Sequence, residues 1–425
     1  MSGKSQGTPL SIEEWLQVFP VPVRQSLQVL YQTLDVQQRS TVNHLLKDLG
    51  QHMSAGDLKD VLTLVKDQYP GWQDASATIC IVGPVNTGKS SLYNALVGKG
   101  QPQAAVSPIP GTTQQPQLGE SGFLQVVDTP GADDVEIGDE GQLEGQRRRE
   151  AALSAARAAD FLVIVLDASA GIGRGALLVY QDLARLGKPY VIVLNKIDLV
   201  QQHEDKVIEL AAKNLRVDRE AIIPTSALKE TGLEALIFAI LRADPDLLLT
   251  VAQVMPRYRF KLAQRRAIQA ATAAGMVNLA TSPIPIPFTS FLPLTGIQAG
   301  LVLSVARIYG YHITPGRAKE LLTTFAAGLG ARTLFQQLVT KVPGAGWVLG
   351  TAIACATTLG IGYSAIAWFA RGEKVTAEMT RSYVELITRE LVAALRGINR
   401  KTLSRQGLAD ILERVTESLS EHLGG

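Results

Sequence analysis

Cysteine is nearly missing from this chain: 425 residues hold two, Cys80 in an apolar strand-like run and Cys355 far away in an Ala/Gly-rich stretch. That number and separation exclude a disulfide framework and a cysteine-based zinc site, so both are expected to be small buried hydrophobes. Charge is scarce as well, at 19% of residues against the usual quarter, while 46% are apolar. The 41 basic and 39 acidic residues nearly cancel. No general field gathers nucleic acid or acidic substrates, and any basic partner surface must be local. Met1 to Leu10 holds no apolar core behind its lysine and no small-residue cleavage pattern, so no secretory signal is read there and the expected location is cytoplasmic. The length suits two or three domains and excludes disorder as the general condition.

What is present changes character twice along the chain. Residues 1–75 read as an N-terminal helical region: Ser11 and Glu14 form a capping box, Leu27, Leu30, Tyr31 and Leu34 share one face, and further helical runs end at Pro70-Gly71. Residues 76–245 alternate short apolar runs with helix-length segments. The runs are Ala77 to Val82, Phe123 to Val127, Phe161 to Leu166, Tyr190 to Leu194 and Ala221 to Ile223. That alternation predicts an α/β domain, a mostly parallel sheet with helices on both faces. Residues 246–425 read as a C-terminal all-α domain. Within it, 267–306 and 342–370 carry no charged residue or histidine.

The segment Gly83-Pro84-Val85-Asn86-Thr87-Gly88-Lys89-Ser90-Ser91 follows the first apolar run and opens a helix, the context a phosphate-binding loop needs. Glycines let backbone N–H groups converge on phosphates, Lys89 can reach the β- and γ-phosphates, and the Ser90 hydroxyl can hold Mg²⁺. Asp128-Thr129-Pro130-Gly131 ends the second run, where a carboxylate can meet the Mg²⁺ shell and the Gly131 N–H the γ-phosphate. Asn195, Lys196 and Asp198 end the fourth run, and Ser226 and Ala227 follow the fifth. The two carboxylate oxygens of Asp198 can accept from guanine N1–H and its exocyclic amine, a donor pair that adenine lacks. GTP, with GDP as product, is therefore the expected ligand.

These motifs, in this order and each at a strand end, resemble the GTPases of the translation-factor class, within it the Era, TrmE and Der type. The resemblance covers about residues 76 to 245 and implies a P-loop GTPase with Mg²⁺. Ser107 to Thr113 looks like the switch I sequence of that family, which implies that Thr113 completes the Mg²⁺ shell, with Thr112 as the fallback. The family also implies a potassium ion beside the phosphates, here with Asn86, Ser107 and Thr112 as ligands. Gln114-Gln115 stands where the family has Arg-Asp, so an Asn86 that simply braces the loop is the competing role. Lys89, Thr113 and Gly131 are the expected catalytic contributors. Ala132 occupies the place of the water-orienting glutamine of Ras-like proteins, so slow intrinsic turnover is expected. Glu140 and Glu144 either help the water or lie on a solvated helix face.

The C-terminal region resembles a poorly characterised bacterial domain that follows such GTPases and occurs in inner-membrane proteins. The resemblance rests on Pro283 to Phe288, Ile308 to Gly310 and Pro343 to Gly346. Its second uncharged run is long enough to cross a bilayer; the first is broken by Pro283, Pro285, Pro287 and Pro293 and reads as a hairpin of two short helices. Arg257, Arg259, Lys261, Arg265 and Arg266 form a basic cluster before it, suited to anionic headgroups. Membrane lipid at the cytoplasmic face of an inner membrane, bound peripherally or through inserted hairpins, is the expected partner beside guanine nucleotide, and a soluble bundle is the alternative. A second copy of the nucleotide domain is a further expected partner. Nucleic acid is not, since no RNA-binding module is visible. Three functions follow: a GTP-hydrolysing switch or mechanoenzyme at a membrane, a soluble ribosome- or RNA-linked GTPase, and a GTP-binding scaffold without hydrolysis.

Overall fold

Runs of Ile, Val and Leu with no polar alternation suit strands buried on both faces, and five such runs form parallel strands. They are β1 (Ile79–Pro84), β3 (Leu124–Thr129), β4 (Phe161–Asp167), β5 (Tyr190–Asn195) and β6 (Ile222–Pro224). A two-residue strand, β2 (Gln117–Leu118), adds antiparallel to the outer edge of β3. The sheet order is β2-β3-β1-β4-β5-β6. The computed structural model from which these elements are taken describes residues 9–70, 77–98, 117–118, 124–129, 150–282, 290–316, 318–321, 346–372 and 376–423. Two units divide the chain, Gln73–Arg259 and the pair Met1–Trp72 with Phe260–Gly425.

In the first unit β1 lies between β3 and β4, so the chain leaves it in opposite directions and opens a crevice beyond its C-terminal end. Register sets the strand ends level: Gly83 stands opposite Asp128, and Asp167 opposite Asn195. Helices Arg174–Ala184, Glu204–Leu215 and Leu233–Ala243 cover the sheet. Cys80, Val82, Leu162, Ile164, Leu183, Leu194 and Ile208 belong to one packed core. The unit continues past Pro245 through the helix Leu248–Val254 to Arg259, with Leu247, Leu248 and Val251 buried.

The second unit is built from helices. Its N-terminal part runs through Ile12–Leu16, Val21–Thr33, Val36–His52 and Ala55–Lys66, and Ser11 and Glu14 make the reciprocal capping bonds that their spacing predicts. Its C-terminal part holds Arg259–Thr281, Phe291–Ile308, Gly346–Arg371, Ala377–Leu395 and Arg405–Leu423. The first uncharged run thus lies on helices of 23 and 18 residues, longer than its prolines suggested. Pro293 sits in the first turn of the second of these helices, where a missing N–H costs nothing; the Pro283 to Pro287 run lies outside the described residues.

Small residues set how closely these helices approach. A Cβ added at Gly300 would fall 2.8 Å from the Gln68 Cβ and 3.0 Å from the Tyr69 ring. A Cβ at Gly275 would fall 2.6 Å from the Cys355 sulfur. Tyr69 reaches through its contact to donate to the Gly296 carbonyl at 2.8 Å, and Phe19 packs edge-on against Tyr69 at 5.5 Å between centroids. The helices Phe291–Ile308 and Trp347–Arg371 are long and apolar enough to cross a membrane, yet 67% and 83% of their most apolar windows are buried by the protein itself. Both cysteines are free and buried, and burial pushes each thiol up to about 12. They are core residues, as expected.

One member of the basic cluster is withdrawn from any headgroup-facing surface. Arg266 is buried, donating to the Gln68 carbonyl at 3.0 Å and to the Gln269 side chain at 2.9 Å. Arg259 donates to the Ala252 carbonyl, and Arg257 is bonded within the first unit. On the helix Arg259–Thr281 the adjacent Arg265 and Arg266 are turned about 100° apart, a separation that sequence proximity hides.

Gly300→Leu tests the packing. Overfilling of this kind costs about 1–3 kcal/mol, and the urea midpoint of the full chain should fall accordingly, with faster protease cleavage within residues 9–70. An unchanged midpoint and cleavage pattern would mean that Gly300 is not a contact point.

Candidate functional site

Each strand end in the crevice delivers a polar segment because the apolar run stops there. β1 passes into the phosphate-loop segment, whose Asn86 is exposed in the left-handed region, at φ 66°. Gly88, at φ 86°, caps the helix Lys89–Val97, which therefore starts two residues before Ser91, inside the phosphate-loop segment. A Cβ at Gly88 would lie 2.5 Å from the Asn195 amide nitrogen, so glycine is required for space as well as for φ.

Lys89 is 2% exposed. Its ammonium donates to the Gly83 carbonyl at 2.8 Å, to the Pro84 carbonyl, and at 3.4 Å to the Thr87 hydroxyl. Thr87 is buried and donates to the Pro84 carbonyl at 3.0 Å. The loop is thereby wrapped around its own lysine. Ser90 and Ser91 lie partly exposed in the first helical turn.

Asn195, 1% exposed, ends β5 and joins three segments. Its Nδ2 donates to the Thr87 carbonyl at 2.8 Å, while its Oδ1 accepts from the Thr225 hydroxyl at 3.2 Å and the Ala227 N–H at 3.1 Å. Lys196 follows in the left-handed region, at φ 63°, and turns the chain into the 3-10 segment Ile197–Leu199 that presents Asp198. Ser226 is buried, bridged to Thr231 by paired backbone bonds.

Sequence reading missed Asp167. It ends β4 and accepts from Lys196 Nζ at 2.6 Å and from the Ser169 N–H and hydroxyl at 2.8 and 2.6 Å. Burial alone would raise its carboxyl, but the bonds from Lys196 and Ser169 outweigh that and hold it below the usual carboxylate range. A carboxylate closing an otherwise apolar strand was the available signal.

The structure therefore brings together Gly83, Asn86, Thr87, Gly88, Lys89, Ser90 and Ser91 with Asn195, Lys196, Asp198, Ser226 and Ala227. Asp128 stands at the end of β3, opposite Gly83. Ser107, Thr112, Thr113 and Gly131 lie outside the described residues, as do Ala132, Glu140 and Glu144. The described residues fit a magnesium nucleotide: a serine hydroxyl in the first helical turn and a glycine cradle that a Cβ would fill. Ser90 would hold the ion, which when bound neutralises phosphate charge.

Residues 78–196 match the family model described as 50S ribosome-binding GTPase, and residues 148–256 match the elongation factor Tu GTP binding domain. GTPase Der of Thermotoga neapolitana is 39% identical over 171 residues, which are 38% of this chain and 38% of that protein. GTPase Era of Marinobacter nauticus is 36% identical over 172 residues, 40% of this chain and 54% of that protein. The tRNA modification GTPase MnmE of Trichormus variabilis is 29% identical over 263 residues, 59% of this chain and 51% of that protein. The chain thus spans from 38% to 54% of these relatives' lengths. The α/β unit is a P-loop GTPase domain of the TrmE/Era/Der type. Neither family model reaches past residue 256, and the C-terminal helical region is not identified by them.

The Asp167 pair has a pH signature. Its folded pKa is lowered, so its stabilisation is present above the unfolded value near 4 and is lost as pH falls through the lower folded value. The stability difference between the wild type and Asp167→Asn should shrink on acidification from about pH 7 to pH 3. A difference independent of pH would mean that the carboxylate's charge does not hold Lys196.

Proposed function

We propose that this chain binds GTP and hydrolyses it to GDP and phosphate, acting as a nucleotide-dependent switch. The observation that carries the reading is the Asn195 network, which ties the phosphate-loop carbonyl of Thr87 to the segment carrying Ser226 and Ala227. Phosphate recognition and base recognition are built into one buried set of bonds. In this reading Lys89 exchanges its carbonyl partners for the β- and γ-phosphates, Asp198 reads guanine, and Ser90, Asp128 and Thr113 hold Mg²⁺. Gly131 meets the γ-phosphate, and Asn86, with Ser107 and Thr112, holds a potassium ion. Unassisted turnover is slow, on the order of 10⁻⁴ to 10⁻² s⁻¹.

Asp198→Asn tests the base assignment. GTP affinity should fall about 10- to 100-fold, the scale of a lost charge-assisted bond. Xanthosine triphosphate should gain, because an amide can donate to the xanthine C2 oxygen. An unaltered preference by calorimetry would remove Asp198 from base reading.

A second level of the proposal concerns where the switch acts. The helices Phe291–Ile308 and Trp347–Arg371 support contact with a bilayer at the inner face of a membrane, after release from their present packing. The likeness of the C-terminal region to a domain of inner-membrane proteins supports the same reading. The relatives, one a tRNA modification GTPase, and the family described as ribosome-binding support the competing ribosome- or RNA-linked role. The full chain should float with anionic lipid vesicles in one nucleotide state more than in the other. Co-sedimentation with ribosomes and no flotation in either state would replace the membrane reading with the RNA-linked one.

A further inference from the structure

Arg257 lies in the short segment between the helices Leu248–Val254 and Arg259–Thr281, outside every nucleotide motif. Its guanidinium reaches back to the elements that follow two of them. One end donates to the Ala95 carbonyl at 2.9 Å, the other to the Glu230 carboxylate at 2.6 Å, and its centre lies 5.2 Å from the centroid of the Tyr258 ring. Ala95 belongs to the last turn of the helix Lys89–Val97, whose first residues form the phosphate site. That turn carries no basic residue of its own, so Arg257 supplies the positive charge that helix C-terminal carbonyls favour.

Glu230 lies in the tight loop 226–231. Ser226 and Thr231 close it with backbone bonds of 3.0 and 3.1 Å, and the Ser226 hydroxyl accepts from the Lys229 N–H at 3.0 Å. Glu230 itself is left-handed, at φ 53°, a conformation disfavoured for any residue with a Cβ. A charged partner for its side chain helps hold that turn in place. The far end of the loop is already tied, because the Ala227 N–H donates to Asn195. The ties form a closed ring: Thr87 to Asn195, Asn195 to Ala227, the loop to Glu230, Glu230 to Arg257, Arg257 to Ala95, and the helix back to Lys89.

We propose that Arg257 is a positioning residue for guanine nucleotide, holding the base-side loop 226–231 at a set distance from the phosphate-side helix. The proposal rests on the GTP reading above. Asn195 closes the bracket from inside, and Arg257 closes it from outside. Arg257 touches neither base nor phosphate, so its action is on how long the nucleotide stays and not on phosphoryl transfer. The side chains of Arg257 and Glu230 are 37% and 51% exposed, so water screens the pair and the effect is moderate.

The test uses the full chain with GDP binding by calorimetry, GDP dissociation by stopped flow and steady-state GTP hydrolysis. Arg257→Ala should weaken GDP about 3- to 10-fold, the scale of a partly exposed charged bond. The loss should lie in faster dissociation, with KM for GTP raised and kcat per binding-competent site unchanged. Glu230→Gln should show a smaller loss in the same direction, Arg257→Lys should restore part of it, and the double variant should bind no worse than Arg257→Ala alone. A lower melting temperature or active fraction with Kd and KM unchanged would make Arg257 a fold brace only and overturn the proposal. So would losses that simply multiply in the double variant. Should Arg257→Ala not fold, Glu230→Gln measures the same coupling. Failure of the underlying reading looks different: the wild type and Lys89→Ala would then bind GDP equally weakly.

Discussion

A primary amide carries two N–H donors and an oxygen with two lone pairs, and the nucleotide crevice is organised around one such group. Asn195 uses its oxygen twice, toward Thr225 and Ala227, and its nitrogen toward Thr87. At 1% exposure water cannot stand in for any of these partners. A carboxylate here would face the Thr87 carbonyl with a second oxygen, and an apolar side chain would leave the Ala227 N–H unpaired, each at a cost of about 1–3 kcal/mol. Parallel register makes the arrangement reachable, since β1, β5 and β6 end at one level and their loops emerge side by side. The left-handed Lys196 then returns its ammonium to Asp167 on the adjacent strand. Asp198 is thereby offered from a segment that is anchored on both sides.

Much of this was legible in the sequence, and the reason is that local chemistry and tertiary role coincide there. Strands buried on both faces must be continuous apolar runs, so Phe161 to Leu166 announced β4 without any knowledge of its partners. The Ser11 capping box is an interaction within four residues and was equally visible. What stayed hidden depends on distance along the chain. Gln68 meets Arg266 across 198 residues, and Arg257 meets Ala95 across 162. No spacing rule reports such pairs. The run Arg257 to Arg266 shows the same limit from the other side. Read as a sequence it is one basic patch; folded, one arginine is buried, one donates to a carbonyl and one joins a helix end to a loop.

The apolar helices raise a question that hydropathy alone is unable to decide, because lipid tails and packed side chains favour the same composition. Packing detail separates the two more sharply. Gly275 and Gly300 are notches filled by Cys355 and by Gln68 and Tyr69, and a notch filled by a specific side chain is a solution to helix-on-helix contact. Thr358 donates to the Ala354 carbonyl within its own helix, while the Ser364 and Thr380 hydroxyls bond each other. These hydroxyls are satisfied inside the unit and require no water.

Arg266 sets the terms on which any of this packing could be exchanged for lipid. Burial lowers its pKa to about 10, which leaves the guanidinium charged at neutral pH. Its partners are the Gln68 carbonyl and side chain and Gln269, and the Gln68 carbonyl also accepts from Ser304 at 3.1 Å. If the N-terminal helices alone left the unit, a buried cation would lose the groups that compensate it, a loss of several kcal/mol. If the helix Arg259–Thr281 entered hydrocarbon without residue 68, the same charge would have to be carried with it. The N-terminal segment and the helix Arg259–Thr281 are therefore coupled through one side chain. A change that frees the apolar surface must rehydrate Arg266 at the same time, and that requirement keeps the surface covered until something offers the guanidinium new partners.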